Sequence, residues 1–341
     1  MGTAAPPLAE AHTVDYHTAG EPFRIVLDGA PEIPGSSVRE RREHAPDVAD
    51  AVRQLLCHEP RGHADMYGCF LVPPDDEGAD LGVLFWHKDG YSTACGHGTI
   101  ALGAWAVESG RVGAPDDGDV DVVVDVPSGR VTARVHVEGG EVQSVGFRNV
   151  PSYALGRDVR LELTSGQVRV DVAYGGAIYA SVPASSFGLT VTPDCYADLI
   201  RVGREVKWAL DATSWSQHPD DPRLSGVYGT ILFDDLGDTA EGPHQRNVTV
   251  FADGEVDRSP CGSGTSARVA LLAEEGRLSP SQSLLHESIV GTRFTARLLA
   301  NATVGGRAAV VPEVRGMAYR TGEHRFVLDP RDPVGRGFVL R

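Results

Sequence analysis

Lysine is nearly missing from this chain of 341 residues. Lys88 and Lys207 are the only two, and neither sits in a recognisable cofactor setting. Pyridoxal-phosphate chemistry, which needs a Schiff-base lysine, is disfavoured on that ground. Basic runs are missing too: the formal net charge is −16, so a nucleic acid would be repelled with no Lys/Arg cluster to offset it. No stretch approaches the roughly 18 apolar residues of a membrane span. The opening MGTAAPPLAEAHTVD carries neither a long apolar run nor any Lys or Arg, unlike a secretory signal. The five cysteines are odd in number and include no CxxC pair, which argues against a disulfide framework and a zinc ribbon. A reducing cytoplasm is the expected compartment.

Glycine and proline are plentiful, at 40 and 22 residues, and suggest many turns between short strands. The strongest signal is internal duplication. LGVLFWHKDGYSTACGHGTIALGAWAVESG, ending at Gly110, aligns with NVTVFADGEVDRSPCGSGTSARVALLAEEG, ending at Gly276, 166 residues later. Each reads as an apolar strand, a polar turn, and Cys-Gly-x-Gly-Thr opening a helix that stops at glycine. Downstream, Gly139-Gly140 answers Gly305-Gly306 and Tyr153 answers Tyr319. Upstream, VDYHTAGEPFRIV resembles VDVAYGGAIYASV. Apolar residues surround both helices on all sides (Ile100, Leu102 and Trp105; Val269, Leu271 and Leu272), which marks them as buried. The expected fold is α+β: two pseudo-symmetric halves, each a curved, mostly antiparallel sheet wrapped round a central helix. The halves divide as residues 1–155 and 156–341, with the last strand able to return to the first half. Segment 194–225 reads as an insertion peculiar to the second half.

Cys95 and Cys261 fall at matched helix starts, where unpaired N–H groups favour an anion and thiolate over thiol. Two such helix starts brought face to face would bind a carboxylate with a sulfur on either side. That arrangement suits proton exchange at the adjacent carbon, one sulfur removing a proton and the other delivering one. Two other readings of the pair stay open. The cysteines can be buried packing residues, as Cys57, Cys69 and Cys195 are read to be. Cys95 and His97 can also be metal ligands, although Ser263 replaces the histidine in the second copy.

HTAGEPFRIV (17–26), EPRGHADMYG (59–68), ACGHGTIA (94–101), VDVAYGGAIYASV (170–182) and DRSPCGSGTSAR (257–268) resemble the motifs of the proline racemase family. The resemblance runs from about residue 12 to the C-terminus. It implies a diaminopimelate epimerase-like fold with a cleft between the halves and no cofactor or metal. It places Cys95 and Cys261 as paired acid and base. It also assigns the backbone of Gly96, His97, Gly262 and Ser263 to the substrate carboxylate, and the side chains of His97 and Asp257 to the ring nitrogen. Tyr67 and Phe251 fall where the family has pocket walls. The implied substrate is proline or a hydroxyproline, and a homodimer is compatible with the sequence. His17 and His63 are read as hydrogen-bonding structural residues, Glu59 and Arg61 as an ion pair bracing their loop, and Asp15 and Asp171 as structural.

The family holds proline racemases, 4-hydroxyproline 2-epimerases and trans-3-hydroxy-L-proline dehydratases. EPRGHADMYG, VYGTILFDD (227–235) and the lead-in to Cys261 look most like the dehydratases, in which one cysteine is typically Thr or Ser. Two intact sulfurs favour reprotonation with inversion instead. The expectation is a racemase or epimerase, with dehydratase as the alternative.

Overall fold

A computed structural model describes residues 10–340; part of the opening segment read above as lacking a signal lies outside them. β1 (Glu10–Thr18) and β2 (Glu21–Asp28) form a hairpin. Helices α1 (Val38–Val48) and α2 (Asp50–Cys57) then cross to β3 (Gly68–Val72), which runs parallel to β2. β4 (Leu81–His87) returns antiparallel, with the short β5 (Gly90–Tyr91) folded back on it. Next come α3 (Gly96–Glu108), β6 (Gly118–Val126) parallel to β4, and the meander β7 (Gly129–Glu138) and β8 (Glu141–Arg148).

The second half repeats this plan. β9 (Tyr153–Leu163), β10 (Gly166–Tyr174) and β11 (Ile178–Pro183) lead through α4 (Tyr196–Asp211) to β12 (Val227–Thr239), parallel to β11. β13 (Gly242–Phe251) and the short β14 (Glu255–Asp257) precede α5 (Gly262–Glu274). β15 (Leu284–Ser288) lies parallel to β13, and β16 (Arg293–Val304) and β17 (Arg307–Gly316) close the meander. β8 pairs with β17, which joins the two sets of strands into one curved sheet. The last strand, β18 (Ala318–Val327), crosses back and pairs with β1, as β9 pairs with β10.

The sheet curves round two helices whose apolar residues point in every direction. Every residue from Gly96 to Ala106 in α3 and from Gly262 to Leu272 in α5 is buried. A fully buried Leu such as Leu102 contributes about 1.5–3 kcal/mol relative to an exposed one. Both helices stop before a glycine at positive φ, Gly110 and Gly276 at 71°, the left-handed conformation that ends a helix without a Cβ penalty. No helix among the described residues is long and apolar enough to cross a membrane.

One expectation is corrected. α4 is not peculiar to the second half, because α1 and α2 occupy the corresponding crossover, β2 to β3, of the first. α1 was hidden by its charged run, VRERREHAPDV, which carries Pro46 and buries only Val38 and Ala45, and α2 by being only eight residues long.

Candidate active site

The two cysteines sit where two buried helices abut. A Cβ on Gly96 would lie 2.5 Å from the Cα of Gly262, and one on Gly262 would lie 2.6 Å from the Cα of Gly96. Only glycine at both positions lets the helix starts meet, with the backbones of His97 and Ser263 beside the contact. Cys95 is the extended N-cap of α3, and its Sγ accepts the Gly98 N–H at 3.2 Å. Cys261 precedes α5 at φ 63°, a conformation rare for a side chain with a Cβ, so this position holds backbone strain. Its N–H donates to Ser259 Oγ at 3.1 Å, and its Sγ lies 3.8 Å from the Tyr179 hydroxyl.

Both thiols are buried, at 4% and 5% exposure. Burial pushes the Cys95 thiol well up, against the pull of the Gly98 N–H. Burial and then the Asp257 charge push the Cys261 thiol up as well. This reverses the expectation that the helix starts would favour thiolate: desolvation and a nearby carboxylate outweigh the helix-end field. The charge of Cys261 also disfavours ionisation of Cys95, so the two sulfurs are close enough to couple.

Asp257 ends β14. Burial raises its carboxyl to about 6, although the Ser259 hydroxyl and N–H both donate to Oδ1, at 2.7 and 2.8 Å. Its Oδ2 lies 3.8 Å from His97 Nδ1. Burial lowers His97 to about 3, so the imidazole is neutral and this contact is not an ion pair. The centre of the site therefore offers one carboxylate, one neutral imidazole, two thiols and two helix N-termini.

Aromatic rings enclose it. Tyr67 meets His97 edge-on at 4.9 Å and lies 5.8 Å from Phe251, and Phe23 abuts the other edge of His97 at 5.8 Å. Tyr228 stacks on Phe251 at 5.5 Å, and its hydroxyl lies 3.0 Å from that of Tyr67. The Tyr67 hydroxyl also meets Ser92 Oγ at 2.5 Å. Tyr179 closes the Cys261 side, 2.7 Å from Ser263 Oγ. All the residues assigned from sequence thus gather here. Phe23, Ser92, Tyr179 and Tyr228 were not singled out. The last two lie inside VDVAYGGAIYASV and VYGTILFDD, and their place in those two segments was the only signal available.

The remaining candidates lie elsewhere or brace the site. His17 Nδ1 accepts the Gly20 N–H and His63 Nδ1 the Asp65 N–H, both local structural roles. Asp15 forms a buried pair with Arg24, and Asp171 lies 3.3 Å from Arg157. Arg61 does not pair with Glu59. It reaches Asp332 and the carbonyls of Val327 and Gly335, because the C-terminal segment folds over its loop. Among the described residues, His87, Asp89 and Glu255 form a cluster of metal-ligating type. The Lys88 ammonium already serves it, 2.6 Å from Asp89 and 3.8 Å from Glu255.

Known proteins similar in sequence and shape show the family. The sequence model described as proline racemase matches residues 13–339. The chain is 46% identical to the 3-hydroxyproline 2-epimerase of Burkholderia multivorans, over 96% of this chain and 98% of that one. It is 43% identical to the trans-3-hydroxy-L-proline dehydratase of Bacillus cereus, over 96% and 97%. Among solved structures, a hydroxyproline epimerase from Agrobacterium vitis with bound trans-4-hydroxy-L-proline superposes with a TM-score of 0.89. It shares 32% identity, over 97% of this chain and 96% of that one. This chain belongs to the proline racemase family, whose members among these relatives are epimerases and dehydratases.

Proposed function

We propose that the protein is a cofactor-independent epimerase that inverts Cα of a hydroxyproline or of proline, with Cys95 and Cys261 as its paired acid and base. One observation carries the reading: both abutting helix starts present a cysteine, so a carboxylate held there would have a sulfur available from each half. The N–H groups of Gly96, His97, Gly262 and Ser263 would hold that carboxylate. Asp257 and neutral His97 would take the ring ammonium, matching one cation with one anion. A thiolate on one side removes the Cα proton, and the electron pair moves into the carboxylate. The thiol on the other side then delivers its proton to Cα, leaving a thiolate there and an inverted centre. Burial makes the resting thiolate costly, so substrate binding is expected to promote it by bringing a positive charge into the site. The five free cysteines suit a reducing cytoplasm.

The second reading is dehydration. It is favoured by the name of the Bacillus cereus relative, and it needs a base at Cα but no second sulfur. A substrate panel in D2O separates the two. The epimerase reading expects trans-3-hydroxy-L-proline, trans-4-hydroxy-L-proline or L-proline to gain deuterium at Cα with every hydroxyl retained. Loss of water from trans-3-hydroxy-L-proline, without a deuterated epimer from any of the three, overturns it in favour of the dehydratase.

A further inference from the structure

The hairpin tip between β1 and β2 carries a carboxyl group to the far side of the site. Glu21 opens β2 and is fully buried. Its Oε2 accepts the N–H of Arg258 at 2.7 Å, one residue beyond Asp257. Its Oε1 has no hydrogen-bond partner. The Arg258 guanidinium does not turn to it, donating instead to Asp65 Oδ2 at 2.7 Å and to the carbonyl of Val256 at 2.9 Å.

The charged groups that bear on Glu21 are Asp257 from β14, Asp65 from the loop before β3, and Arg258. Cys95 at the start of α3 feels its charge, and His97 stands behind Asp257. An ionised Glu21 would bury a bare oxygen and place a second negative charge beside Asp257, an arrangement that proteins relieve by protonation. Burial and then the Asp257 charge push its carboxyl well up, and Arg258 only partly offsets them. Of the two acids, Asp257 is the better served as an anion: two donors from Ser259 meet it, whereas Glu21 has one backbone N–H.

We propose that Glu21 is a positioning residue held as a neutral carboxylic acid, which fixes the main chain at Arg258 and leaves Asp257 as the single negative charge offered to the substrate's ring ammonium. The inference rests on the reading of Asp257 as the ring-nitrogen partner. Its consequence is chemical. A second anion here would raise the cost of forming the thiolate at Cys95 and of building negative charge on the substrate during proton removal.

Infrared difference spectra of the whole protein near neutral pH, wild type minus Glu21→Gln, test the protonation state. The wild type should show the carbonyl stretch of a protonated carboxylic acid, and the variant should lack it. Absence of that band overturns the proposal whatever the enzyme's activity. Kinetics test the positioning role. Glu21→Ala should lower kcat/KM roughly tenfold or more, chiefly through KM, and Glu21→Gln should restore most of the loss. The acid limb of the kcat/KM profile, set by Asp257, should keep its position in Glu21→Gln. A limb displaced to lower pH would mean that the native Glu21 is charged, and would overturn the proposal. If no proline-type substrate turns over, the functional reading fails and the positioning role falls with it, while the infrared band still decides the state of Glu21.

Discussion

Asp257, proposed above as the partner of the ring ammonium, carries its charge against the pull of burial. Its carboxyl, raised to about 6 by burial, is charged at neutral pH only at a cost to the fold. A carboxyl whose pKa is raised by folding contributes stability at low pH that is lost as pH rises through the folded value. Asp257→Asn keeps the shape without the charge. It is therefore expected to be more stable than wild type at pH 8, by about 1–3 kcal/mol in denaturant unfolding, and equal to it or weaker at pH 4. The same variant should lose activity, and in the wild type kcat/KM should fall as pH drops through about 6. Stabilisation at pH 4 but not at pH 8 would contradict this account of the charge. Gly96 gives a second residue-level test. Gly96→Ala puts a Cβ 2.5 Å from the Gly262 backbone, so activity should fall more steeply than thermal stability. At this scale Cys95 and Cys261 were legible in the sequence because they occur in one motif written twice. Tyr179 and Tyr228 were not, since a lone tyrosine in an apolar strand reads as core until the fold shows that its hydroxyl faces another polar group.

The elements were legible in proportion to their periodicity. α3 and α5 are apolar on every side, and that pattern has no stable place except inside a sheet. α1 was missed because its charged, proline-containing stretch offers only a thin buried stripe, and α2 because its eight residues are too few to show a helical period. The packing of α3 predicts that Leu102→Ala, at a fully buried position, lowers stability by about 2–5 kcal/mol in denaturant unfolding. A loss below 1 kcal/mol would mean that the helix is not the packed centre of its half. β18 makes a different demand. It pairs with β1 along nearly the whole strand, so removing residues 317–341 would leave β1 with an open edge at the far end of the chain from the cut.

At the scale of the whole molecule, the two halves bury the cysteines at their abutting helix starts. Both site thiols are 5% exposed or less, so a reagent in solution meets them less readily than it meets an exposed cysteine. Cys195 is different: it is partly exposed, and hydrogen bonds from the Thr190 backbone and the Thr192 side chain hold its thiol below the usual range. Limiting iodoacetamide should therefore modify Cys195 first with activity retained. Slower inactivation should follow modification of Cys95 or Cys261, and pyrrole-2-carboxylate should retard it. Activity lost in step with Cys195 would contradict the site. The duplication and the curved sheet were readable from repeats, but the burial of the cysteines was not, because it depends on how distant segments meet, as the Glu21 side chain does with the Arg258 N–H. The central claim is that each sulfur serves one face of the same carbon. Its most direct test follows Cα deuteration and inversion by NMR in D2O, with whichever proline-type substrate the wild type turns over, in Cys95→Ser and Cys261→Ser. Inversion should be lost in both variants; undiminished inversion in either one would show that its sulfur is not required.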